Sequence, residues 1–124
     1  MELLGGSQEI IKLYQKASIF VLSSRCEGFG MVLIEAMSQG CACIACDFNG
    51  RQREIIPSDK EGLVCKNCDE EALIDALSRM LTDETYRESC RIPAVERSKY
   101  YSIDNTIDRW EKIFHQLNTK SEDE

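Results

Sequence analysis

The sequence has no apolar run close to the ~20 residues that a bilayer span requires. It also has little positive charge to offer a nucleic acid. Its 15 Lys and Arg are scattered and are outnumbered by 22 Asp and Glu, for a formal charge of −7. Nucleic-acid surfaces need clustered cations that displace counterions, so no nucleic-acid partner is expected. The opening MELLGGSQEI has no basic stretch followed by an apolar core, so no secretory leader is expected. Internal repeats and low-complexity linkers are missing. The one histidine, His115, sits beside Phe114 on a predicted helix and reads as a surface or packing residue rather than a base. What remains is ordinary globular material, 43% hydrophobic and 30% charged over 124 residues. That is one domain or part of one, able to bury about two thirds of its unfolded surface.

Cysteine is the exception, with seven residues, an odd number. Cys26, Cys41, Cys43 and Cys46 lie in or near apolar runs, where a reduced thiol behaves as a small hydrophobe. Without a leader, these read as reduced thiols of a cytosolic protein. Cys43-x2-Cys46 and Cys65-x2-Cys68 have zinc-ribbon spacing. A zinc knuckle must turn sharply, and CIAC has no Gly or Pro to help it. Along a strand, Cys43 and Cys46 would point to opposite faces, so no metal is expected there.

The order of elements follows from periodicity. Ser7 is placed to cap a helix over about 8–16 with Ile10, Ile11 and Tyr14 on one stripe. SIFVLSS (18–24) reads as a strand, RCEGFG as a loop, and MVLIEAMSQ (31–39) as a helix ended by Gly40. CACIACDF (41–48) is a second strand, NGRQREII a turn and short helix stopped by Pro57, and EGLVCK (61–66) a third strand. DEEALIDALSRMLTD (69–83) is amphipathic through Leu73, Ala76, Leu77, Met80 and Leu81. A helix over about 84–99 should kink or break at Pro93. Ser102 caps a last helix with Ile103, Ile107, Trp110, Phe114 and Leu117 along one face. NTKSEDE has too little apolar content to pack. Two regions are therefore expected, an α/β domain over 1–117 and a disordered acidic tail over 118–124. Apolar strands alternating with helices predict a parallel sheet covered on both faces, with ligands held at the carboxyl ends of the strands.

One such loop carries chemistry. EGFG feeds the start of a helix, whose unpaired N–H groups and partial positive charge make a seat for phosphate. Gly28 and Gly30 allow close backbone approach. Glu27 precedes the helix, and Glu35 lies about 7 Å along its axis with its side chain tilted back toward the start. A diphosphate at the helix mouth would have one acceptor-only carboxylate on each side, and carboxylates hold hydroxyls well. A nucleotide sugar fits that arrangement. Against it, Glu35 groups with Ser38 and Gln39 on a helical wheel and could be an ordinary solvated residue, and Glu27 an ordinary loop acid.

The stretch EGFGMVLIEAMSQGCACIACDFNGRQREII resembles the donor-site motif of retaining glycosyltransferases of the GT-B fold, most closely glycosyltransferase family 4. The shared features are E-G-F-G, a second Glu at E-x7-E spacing (Glu27 to Glu35), E-A-M-x-x-G, an apolar strand and a glycine turn. In the turn Asn49 replaces the family's first glycine and Glu54 comes one residue late, so Glu54 is left out of the site. The resemblance covers about residues 3–117. It implies a partial doubly wound, Rossmann-like parallel sheet, the C-terminal donor-binding part of the fold. It further implies that Glu27 holds hydroxyls of the transferred sugar as the catalytic carboxylate, and that Glu35 holds the ribose. Gly28, Phe29, Gly30, Met31 and Val32 then contact sugar and diphosphate. No metal or other cofactor is implied beyond the donor substrate, a UDP- or GDP-sugar.

A whole enzyme of this kind has two Rossmann-like domains, so the resemblance implies a fragment, with the acceptor domain and an upstream Arg and Lys missing. The acceptor, a sugar or lipid-linked glycan, would be held by that missing domain. The implied place is cytoplasmic, with a peripheral position at the inner membrane face left open. An unfilled sheet edge invites self-association. One rival reading stays open, a non-catalytic nucleotide-sugar or phosphate-binding module; a glycosidase using the two glutamates as acid and nucleophile fits a helix-mouth phosphate site less well than transfer does, and a zinc-ribbon interaction module is disfavoured by the strand reading of CIAC.

Overall fold

The computed structural model describes residues 1–24, 29–47, 49–67 and 69–122, with side chains as far as residue 119. Three parallel strands lie in the order β1 (Ile19–Leu22), β2 (Ala42–Asp47), β3 (Leu63–Lys66). Ile19 is opposite Ala42 in one pair, and Cys46 opposite Cys65 in the other. The six helices described are α1 (Ile10–Lys16), α2 (Met31–Ser38), α3 (Arg51–Ile55), α4 (Glu70–Thr82), α5 (Glu84–Lys99) and α6 (Ile103–Glu122).

Strand β2 is the centre of the molecule. Every one of its six residues is buried, as expected of a central strand in a covered sheet. Its alternation divides the core. Cys43 and Ala45 join Leu33, Ala36 and Met37 of α2 and Ile55 of α3 on one face. Ala42, Ile44 and Cys46 join Leu63 and Cys65 of β3 and Met80 of α4 on the other. Cys43 and Cys46 thus face opposite ways, as strand alternation requires, and Cys65 shares a layer with Cys46. Cys68 lies outside the described residues. Helix α5 serves both layers, through Cys90 in one and Ala94 in the other.

Local chemistry explains most of the element ends. Asp69 caps α4, its carboxylate accepting the Ala72 N–H. Ser102 caps α6, accepting the Asn105 N–H at 3.3 Å. Gly40 ends α2 in the left-handed region at φ 80°. Its N–H bonds Met37 O while Cys41 N–H bonds Ala36 O, the paired bonds of a Schellman turn.

Several expectations are corrected. Ser7 does not cap α1. Its hydroxyl accepts the Glu9 N–H in the preceding turn, and the helix begins at Ile10. Of the stripe predicted there, only Tyr14 is buried. On α4, Leu81 is 61% exposed, because Leu77 and Met80 already fill the groove over the sheet. Pro93 does not break α5, which is assigned as one helix. A mid-helix proline costs about 3 kcal/mol, and the full burial of Cys90 and Ala94 on either side of it outweighs that. Residues 118–122, expected in a disordered tail, continue α6, since each residue added to an existing helix closes one more backbone bond. The predicted apolar face of α6 is real as a stripe but is not buried. Ile103, Ile107, Trp110, Phe114 and Leu117 are between 49% and 78% exposed. Among the described residues, no helix is long and apolar enough to cross a membrane.

Candidate functional site

The mouth of α2 opens at the carboxyl end of β1. Gly30 is its N-cap, held at φ 80° and ψ 42°, which an L-residue resists by about 1–2 kcal/mol. The requirement is conformational rather than steric. Among the described residues, a Cβ at Gly30 would meet only Ile55 Cδ1, at an ordinary 3.5 Å. Among the described residues, no side chain caps the helix. Leu33 N–H bonds back to Gly30 O, while the Met31 and Val32 N–H groups have no partner among the described residues. An uncapped helix start with unpaired N–H groups is where an anion is best held.

Glu35 sits in the second turn of α2 and is half-buried. Its backbone oxygen accepts the Ser38 hydroxyl at 2.7 Å, but its carboxylate has no hydrogen-bond or ion-pair partner among the described residues. Burial, followed by the Glu35 charge, pushes the Tyr14 phenol above its ordinary range. Val32 and Met31 are largely exposed beside Glu35. Glu27 and Gly28, the other half of the predicted site, lie outside the described residues.

Phe29 departs from a packing role. Its ring is 45% exposed and meets Tyr101 edge-on, with centroids 5.5 Å apart. It forms one wall of a cleft of about 680 Å3. Met31 and Glu54 complete that side, and the C-terminal end of α5 and the start of α6 supply Arg97, Tyr100, Tyr101 and Arg109 opposite. Glu54, set aside on sequence grounds, is therefore a cleft residue. Arg97 Nη2 donates to Glu54 O at 2.6 Å and its Nε to Ile55 O at 3.2 Å. Arg109 Nη2 donates to Tyr100 O at 3.0 Å and to the Thr106 hydroxyl at 3.2 Å. Both guanidinium groups also lie over the Tyr100 ring, at 4.8 Å for Arg97 and 4.1 Å for Arg109. Sequence reasoning missed this cluster, since its members are drawn from positions 29 to 109 and share no motif. Among the described residues, no group of three or more His, Cys, Asp or Glu is placed to hold a metal ion.

A parallel sheet covered on both faces, with an open, glycine-capped helix after β1, matches the C-terminal domain of GT-B glycosyltransferases. The chain belongs to the glycosyl transferases group 1 family, whose model matches residues 1–97. It is similar to an exopolysaccharide phosphotransferase of Streptomyces coelicolor, 34% identical over 99% of this chain and 13% of that one. It is also similar to a D-inositol 3-phosphate glycosyltransferase of Corynebacterium urealyticum, 29% identical over 94% of this chain and 27% of the relative. Among solved structures, sucrose-phosphate synthase of Thermosynechococcus elongatus superposes with a TM-score of 0.72 at 29% identity, over 87% of this chain and 27% of the synthase. The chain thus spans well under a third of each of these three proteins.

Proposed function

We propose that this chain forms part of the donor site of a retaining glycosyltransferase of polysaccharide or glycolipid synthesis. The donor is a UDP- or GDP-sugar, and no metal or other cofactor takes part. The observation that carries the reading is the pairing on α2 of two N–H groups at its mouth with a half-buried carboxylate, Glu35, in its second turn, none of them with a partner among the described residues. The diphosphate sits at the N–H groups of Met31 and Val32, where the helix dipole favours negative charge. Glu35 accepts hydrogen bonds from the ribose hydroxyls. Glu27 holds the hydroxyls of the transferred sugar and is the carboxylate nearest the chemistry, with Gly28 and Phe29 shaping the loop between them.

Retention follows from departure of the diphosphate and attack of the acceptor on the same face, with the departing phosphate taking the acceptor's proton. The acceptor is a sugar or lipid-linked glycan held by a further domain, and the enzyme works in the cytoplasm. On its own the chain carries only part of the donor site and does not turn over. Titration of the 124-residue chain with UDP and GDP, followed by amide chemical shifts, tests the reading. Saturable shifts centred on residues 29–35 are expected, and shifts centred on the Cys65 loop or α6 would overturn it.

A second reading is favoured by one relative. The similarity to a phosphotransferase extends over 99% of this chain at 34% identity. The fold can therefore serve as a nucleotide-sugar or phosphate-binding module inside a chain with different chemistry. Both readings predict the same binding at α2 and differ in whether the complete protein transfers a sugar.

A further inference from the structure

The mouth of α2 is braced by residues distant in sequence. Helix α3 has only five residues, too few to be stable alone. The last carbonyls of any helix lack partners within it. Arg97, half-buried on α5, supplies them: its Nε donates to Ile55 O at 3.2 Å and its Nη2 to Glu54 O at 2.6 Å. A planar guanidinium can hold two successive carbonyls at once, where an ammonium offers a single point charge. Tyr101, in the turn after α5, joins the same network. Its hydroxyl donates to Glu54 O and accepts from Arg97 Nη2, both at 3.2 Å. Its backbone N–H is tied to Ser98 O at 3.0 Å. The ring fixed in this way meets Phe29, the residue before the Gly30 cap, edge-on. Among the described residues, Tyr101 is the only ring in contact with Phe29. Ile55, whose carbonyl Arg97 holds, is fully buried, and its Cδ1 lies 3.5 Å from where a Gly30 Cβ would stand.

We propose that Arg97 and Tyr101 are positioning residues for the mouth of α2 and act on the nucleotide through Phe29, without touching it. Arg97 fixes the end of α3 and the Tyr101 hydroxyl. The Tyr101 ring then fixes Phe29, so that the Met31 and Val32 N–H groups are already aimed when the diphosphate arrives. A mouth ordered in advance binds more tightly, because the ligand does not have to order it. The proposal rests on the donor-site reading for the ligand, though not for the ordering of the mouth.

The test compares UDP titrations and backbone 15N relaxation at residues 29–31 in the unmodified chain, Tyr101→Ala, Tyr101→Phe, Arg97→Lys and Phe29→Ala. Tyr101→Ala should weaken UDP binding by about two- to tenfold, the range for one aromatic pair. It should also lower the order parameters of residues 29–31 in the free chain. Arg97→Lys, which keeps the charge and loses the fork, should act in the same direction. Tyr101→Phe, which keeps the ring, should recover most of the affinity. In a Phe29→Ala background, Tyr101→Ala and Arg97→Lys should cause no further loss. Any of three results would overturn the proposal: unchanged UDP affinity in both Tyr101→Ala and Arg97→Lys, a loss in Tyr101→Phe as large as in Tyr101→Ala, or losses fully additive with that of Phe29→Ala, which would mean direct contact with the nucleotide. If UDP and GDP leave residues 29–35 of the unmodified chain unmoved, the donor reading falls instead. The positioning role is then decided in the free chain, where lost order at residues 29–31 in Tyr101→Ala keeps it and unchanged order ends it.

Discussion

Replacing Gly30 by alanine isolates the backbone conformation on which the α2 mouth depends. Among the described residues the added Cβ meets nothing closer than Ile55 Cδ1 at 3.5 Å, so no clash with them contributes. The cost is the left-handed conformation at φ 80°, about 1–2 kcal/mol for an L-residue. Alanine also narrows the unfolded ensemble, which returns roughly 0.5–1 kcal/mol. The net expectation is a loss of about 1 kcal/mol, or about 4 °C in Tm for a domain of this size. Urea unfolding of the two proteins at equal concentration measures it. If the chain relieves the strain by rotating Gly30 out of the left-handed region, the Met31 and Val32 N–H groups turn with it and nucleotide binding falls as well. Unchanged stability together with unchanged UDP binding would refute the argument, since the backbone at position 30 would then not need a glycine. A loss above about 3 kcal/mol would show instead that packing against Ile55 dominates.

Other expectations follow from burial. Cys41, Cys43, Cys46, Cys65 and Cys90 are all buried, so no more than two of the seven thiols should react promptly with a disulfide reagent in the native chain, against seven in denaturant. Burial raises the pKa of Cys41, Cys43 and Cys90. Their protonated forms therefore persist in the fold after the unfolded chain has lost them. Stability from this source is intact below about pH 8.5 and falls as pH rises, by up to about 1.4 kcal/mol per pH unit for each fully buried thiol. Urea midpoints that stay flat between pH 8 and 10 would contradict that. Trp110→Ala should change the stability of the isolated chain by less than about 0.5 kcal/mol, because the ring is 56% exposed and stacks only on Phe114.

How far the sequence could be read depended on whether the signal was local. The α6 cap at Ser102 and the stop at Gly40 are set by hydrogen bonds within a few residues, and each was legible. The burial of β2 was legible because the continuous apolar run Ala42–Cys46 fits a strand covered on both faces of a parallel sheet. Competition decided the failures. Ser7 could bond the backbone in a turn as well as at a cap, and the turn won. A break at Pro93 would have cost the burial on either side of it, and α5 runs through as one helix. The stripe of α6 correctly indicated an amphipathic helix, yet periodicity says nothing about whether a partner surface is present. At the site, the helix start and the placement of Glu35 followed from spacing along one helix. The Arg97–Arg109 cleft did not, because it exists only once α3, α5 and α6 are packed together.

The central claim is that α2 holds a nucleoside diphosphate, with Glu35 on its ribose, and Glu35→Ala tests it most directly. The 124-residue chain should bind UDP or GDP near millimolar, a total of about 4 kcal/mol. Hydrogen bonds to a charged group contribute about 1.5–3 kcal/mol, so this substitution should weaken binding by tenfold or more in calorimetry or chemical-shift titration. Glu27→Gln in the same chain should leave the affinity for the bare diphosphate unchanged, since its partner is the transferred sugar. Equal affinity in Glu35→Ala and the unmodified chain, or a larger loss of diphosphate binding in Glu27→Gln than in Glu35→Ala, would contradict the account.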